Sequence, residues 1–146
     1  MRAVGLKIFL ISCTLVSSGV AYIFFFSPVT PYYEIFGIRS ITRVSEIKAS
    51  SLALWNKASI RMRLKVPPAV FRNIIGAQFQ EIAPPNEFEN SAGDAGTLKW
   101  WKPFASRSNL FYKGKPLHLH YRKTNDVYIG YDETRQTAYV FWTGID

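Results

Sequence analysis

His118 and His120 are the residues of this chain whose type and spacing come nearest to chemistry. On an extended strand, residues two apart point to one face, so both imidazoles could approach one ion. A zinc site takes at least three protein ligands. The only cysteine, Cys13, falls far upstream in an apolar run, so Asp126 or Asp132 would have to complete the set. Both histidines alternate with Leu117, Leu119 and Tyr121, as in a sheet with a polar outer face. The pattern therefore predicts exposed strand histidines, with no metal and no other cofactor.

The remaining catalytic templates fail on spacing. The chain has no Gly-x-Ser-x-Gly elbow, no glycine-rich phosphate loop and no His-Glu-x-x-His. Glu87 and Glu89 fall in a polar stretch that gives two carboxylates no fixed separation for acid–base work. Ser106 and Ser108 flank Arg107 with no general base beside them. A metal-dependent hydrolase would rest on the two histidines alone, and the reading is non-enzymatic.

Two other groups of residues suggest contact surfaces. Arg61, Arg63 and Lys65 alternate with Ile60, Met62, Leu64 and Val66, which sets three cations on one face of a strand. No acid occurs between Ile47 and Gln80, and no base between Glu81 and Asp94. Such a row repels itself unless solvent, lipid phosphates or a partner screens it. No recognition motif for nucleic acid accompanies it. Trp100 and Trp101 are adjacent, so in an extended stretch they point to opposite faces, one toward the core and one available to a partner.

These residues follow an apolar run, Ile8 to Pro28, that spans 21 positions without a charged side chain. About 20 such residues cross the hydrocarbon core of a bilayer as a helix. A cleaved signal peptide would use Arg2 and Lys7 as its basic start and Gly19 and Ala21 before the cut. It would leave Tyr22-Ile23-Phe24-Phe25-Phe26 as a naked aromatic end. A lipoprotein signal would use Cys13, but the run from Lys7 is too short. An uncleaved anchor accounts for every residue. Arg2 and Lys7 favour a cytoplasmic N-terminus, which places the rest outside the cytoplasm, tethered to the inner (cytoplasmic) membrane.

The predicted organisation is a cytoplasmic tail at 1–7, a transmembrane anchor at 8–28, a juxtamembrane linker at 29–40 and an α+β domain at 41–146. Tyr32 and Tyr33 suit the headgroup layer. Ser59–Val66 reads as a strand, and Pro67-Pro68 opens a helix through Val70, Phe71, Ile74 and Ile75 that stops at Gly76. Gln78–Ile82 is extended, and 84–98 is a long polar loop. Hairpins are predicted at Asn109–Tyr112 with Leu117–Arg122, and at Val127–Tyr131 with Thr137–Trp142. The stretch from Ser40 to Trp55 reads equally as helix or strand. The sum is one helix packed on an antiparallel sheet.

Beyond the anchor, removing Arg2 and Lys7 leaves sixteen basic against ten acidic residues, a net +6. The whole chain is 48% apolar and 16% aromatic, and the part beyond the anchor is long enough to bury a core. The function class this supports is a membrane-tethered binding or accessory module touching lipid or a protein partner through Arg61, Arg63, Lys65, Trp100 and Trp101. An immunity-type inhibitor of a periplasmic toxin and a structural subunit of a membrane complex are the alternatives. The small residues Ser17, Ser18, Gly19 and Ala21 would serve helix association in the latter.

Overall fold

The computed structural model describes residues 27, 29–37, 41–86, 98–101 and 110–146. Among them, two α-helices pack on one antiparallel sheet of six strands, an α+β architecture. The strands are β1 (Ser45–Leu54), β2 (Lys57–Lys65), β3 (Phe79–Ile82), β4 (Leu110–Gly114), β5 (Thr124–Asp132) and β6 (Thr137–Ile145). The helices are α1 (Val29–Phe36) and α2 (Pro68–Ile75). The sheet order is β1-β2-β6-β5-β4-β3.

The period-two pattern of β2 meets matching patterns on its neighbours. Ile60 pairs with Trp142, which pairs with Val127; Met62 with Val140 and then Ile129; Leu64 with Ala138 and then Tyr131. Three apolar rows therefore run across the central strands on one face, each residue at most 4% exposed. Cross-strand apolar pairs of this kind are the unit of sheet stabilisation.

Pro67 and Pro68 stop β2, since neither can donate to a ladder, and Pro68 occupies the first turn of α2. Val70, Phe71, Ile74 and Ile75 face the sheet, with the Phe71 ring stacked 3.9 Å from Tyr131 at 9°. Gly76 ends the helix at φ +45°, its N–H donating to the Arg72 carbonyl. The buried Tyr131 hydroxyl donates to the Val66 carbonyl at 2.8 Å and ties the β2–α2 corner to β5.

Segment 29–40, expected as a linker, instead carries α1. Tyr32, Ile35 and Phe36 stand at positions i, i+3 and i+4, one helical face, and all are buried in the core. Tyr32, expected at headgroup depth, is 0% exposed and packs 5.2 Å from the Phe36 ring; Tyr33 beside it is exposed. Proximity to the apolar run disguised this short amphipathic period. Gly37, at φ +69°, ends the helix with its N–H on the Tyr33 carbonyl.

Leu117–Arg122, expected as a strand, is irregular, and β4 pairs directly with β5 across it. The Leu117 and His118 amides donate to the carbonyls of Ile35 and Glu34 at 3.1 and 3.0 Å. These carbonyls belong to the last turn of α1, which has no partners of its own for them, so the segment caps a helix instead of extending the sheet. Lys113-Gly114, expected as a turn, ends β4 where Phe79 crosses it. A Cβ on Gly114 would collide with the Phe79 ring. The open stretch Ser40–Trp55 contains a 3₁₀ turn at Ile41–Arg43 and β1. Residues 8–26 and most of 84–98 lie outside the described residues, among which no helix is long and apolar enough to cross a membrane.

Burial pushes the Tyr32 and Tyr131 hydroxyls up to about 12, with the charges of Tyr33 and of Glu133 adding to it in turn. Unfolded tyrosines ionise near 10, so both groups stabilise the fold fully below that pH. The contribution falls as pH rises toward 12. Denaturant midpoints are expected to be flat on approach to pH 10 and to drop between 10 and 12, less steeply in Tyr131→Phe. Equal slopes in both proteins would contradict the burial.

Candidate functional site

The two histidines do not form a metal centre with the aspartates proposed to complete it. Both are exposed on the irregular segment between β4 and β5. Asp126 accepts from Lys115 Nζ at 2.7 Å and lies 3.5 Å from Lys113 Nζ. Asp132 accepts the Arg135 N–H at 2.9 Å within the β5–β6 turn. Among the described residues, no three His, Cys, Asp or Glu side chains stand together to hold an ion. Glu87, Glu89, Ser106 and Ser108 lie outside the described residues.

The basic row of β2 falls on the sheet face opposite the apolar rows, and its members differ. Arg61 is 8% exposed, its guanidinium 5.5 Å from the Phe141 ring centre, a cation–π arrangement with its cross-strand partner. Arg63 and Lys65 lie 3.7 and 3.9 Å from the two carboxylate oxygens of Glu46. Glu46 reaches them from a bulge in β1 between Ser45 and Lys48, where it adopts φ +49°. The acid that screens the row thus comes from the neighbouring strand, just outside the acid-free stretch. Exposed pairs of this kind contribute about 0–1 kcal/mol.

The tryptophans are buried unequally, but in and just after a turn and against one cluster, not on opposite faces of a strand. Trp101 is 5% exposed and joins Phe111 and Tyr128 in a second apolar cluster on the outer sheet face. Its ring meets Tyr139 edge-on at 5.6 Å. Trp100 is half-buried at right angles to it, 6.1 Å between ring centres. Tyr139 is also the cross-strand partner of Arg63. The structure therefore brings the basic row and the tryptophan pair onto one face, joined through Tyr139, which sequence spacing could not reveal.

A second surface escaped the sequence reading. Between α1 and the β1–β2 hairpin lies a groove of about 440 Å³, lined by Ser27, Thr30, Glu34, Ala53, Ala58 and Tyr121 among others. Alanines and serines on the inner face of β1 leave this space open. Burial raises the Glu34 carboxyl above its ordinary range. At the hairpin tip beside the groove, Trp55 is fully exposed and Leu52 is 54% exposed. The signal was present as Trp55-Asn56 between two extended stretches, but Trp in place of Gly or Asp hid the two-residue turn.

Comparison with protein-family models, with curated proteins and with solved structures found no match.

Trp101→Ala is expected to cost about 3–5 kcal/mol, as for other buried tryptophans, and Trp100→Ala about 1 kcal/mol or less. Denaturant unfolding of the two variants checks this. Equal losses would place both rings in the core.

Proposed function

We propose that this chain is a single-pass protein of the cytoplasmic membrane, anchored through residues 8–28, whose α+β domain stands outside the cytoplasm. The domain works as a non-enzymatic binding or accessory module. One observation carries the reading: the apolar run ends where the folded domain begins. Ser27, its penultimate residue, accepts the Val29 N–H on its side-chain oxygen at 3.3 Å, and its carbonyl accepts the Thr30 N–H at 3.1 Å. Ser27 thereby starts α1, which is itself part of the core. Anchor and domain follow one another without a spacer.

The outer sheet face is the contact surface of this module. Arg63, Lys65, Tyr139 and the accessible side of Trp100 offer cations next to aromatic area, which suits a protein partner with an acidic patch. Lys65 pairs with Ser45 and Thr137, at the end of β2 away from the groove that Ser27 lines. The row is therefore directed to a partner, and lipid contact falls to the other end of the sheet.

A reporter active only outside the cytoplasm, fused after Asp146, is expected to be active. Activity from a cytoplasm-dependent reporter at the same position would reverse the topology. In mild-detergent purification, Trp100→Ala is expected to lose the partners that the unaltered chain recovers while remaining folded at the temperature of the experiment. Unchanged recovery would remove Trp100 from the contact.

A further inference from the structure

We infer that the β1–β2 hairpin tip is a second, peripheral membrane contact, with Trp55 and Leu52 seated in the headgroup layer of a phospholipid bilayer; this rests on the anchored reading above. Trp55 is 104% exposed, so its ring gains nothing from the domain. It also holds φ +55°, a left-handed conformation that disfavours large side chains. The sequence thus places its largest apolar side chain where neither backbone nor packing favours it.

The position of the tip names the occupant. Ser27, where the apolar run meets the domain, lines the same groove as Leu52 and Ala53, only two residues from Trp55. The tip is pinned there: Asp146 N–H donates to the Asn56 carbonyl at 3.0 Å, and Leu54 pairs with Lys57 across the turn. The same end of the sheet carries Lys57, Arg122 and Lys123, all exposed. Lys57 pairs with Ile145 and the Lys123 N–H donates to the Ile145 carbonyl, which brings the three cations to one rim. Asp146 is the acid among them, and its carboxylate accepts the Arg122 backbone N–H at 3.1 Å. An amphipathic indole ringed by cations matches the chemistry of an anionic headgroup layer. Two contacts on one side of the domain, anchor and hairpin, would fix its orientation on the membrane and keep the outer sheet face clear.

The test uses the full chain reconstituted in vesicles of phosphatidylcholine and phosphatidylglycerol, part of the lipid brominated near the headgroups. Bromolipid is expected to quench a fraction of the tryptophan emission, and that fraction should vanish in Trp55→Phe, whose melting temperature stays unchanged. Replacing Lys57, Arg122 and Lys123 by Glu should shrink the quenched fraction in these vesicles and not in purely zwitterionic ones. If the chain floats with the vesicles but wild type and Trp55→Phe are quenched alike, the tip lies in water and the inference falls while the anchor stands. A Trp55 emission that is blue-shifted yet unquenched would mean that protein covers the tip, which also overturns it. Failure to float removes the anchor and the inference together.

Discussion

The pairing of β2 with β6 determines which side chains the layers of this domain share. Nine residue pairs run without a slip from Lys57–Ile145 to Lys65–Thr137. Side chains alternate between faces along a strand, so a shift by one residue would turn Ile60, Met62 and Leu64 outward and carry Arg61 and Arg63 into the core. The apolar rows that receive α1 and α2 and the basic, aromatic face opposite are two consequences of the same register. Phe141 beneath Arg61 and Tyr139 beside Arg63 exist as contacts only because that register holds.

What could be read from the sequence follows the range of the interactions involved. β2, α2 and the β5–β6 hairpin are written in local periods and local stops: alternation, a Pro-Pro start, a glycine end, a four-residue turn. They appear at the expected places, with bounds within three residues of those expected. The Leu117–Arg122 stretch alternates as well as any strand, but alternation does not supply a partner. The carbonyls left open at the end of α1 lie some 80 positions earlier in the chain, and they took its amides. Helix α1 failed to show for the opposite reason. Its period is clear over eight residues but sits against an apolar run that predicts a membrane environment for anything nearby.

The candidate surfaces depend on distant contacts as well. The unequal burial of Trp100 and Trp101 does not come from the strand alternation expected of them, since Trp100 lies in a turn and both rings pack on one apolar cluster. The identity of the inner ring was not legible, because it depends on Tyr139, Phe111 and Tyr128 arriving from three strands. The acid between Arg63 and Lys65 could not be read because a bulge two strand positions wide decides where Glu46 points. The groove beside α1 is a negative feature, made by small residues on β1 and β2 that carry no motif.

The place of β6 in the sheet has a consequence for how the domain comes to exist. It follows every other strand in sequence yet lies third in the sheet, between β2 and β5. Ile60 and Trp142, whose contact anchors one apolar row, are 82 positions apart. Until β6 is synthesised, β1–β2 and β3–β4–β5 are separate pieces with unpaired inner edges, and neither can bury its face. Contacts this distant in sequence are slow to close, so the sheet cannot be completed before β6 has been synthesised. A premature stop within β6 would remove the middle of the sheet, not its margin, and leave two exposed edges prone to pair with other chains.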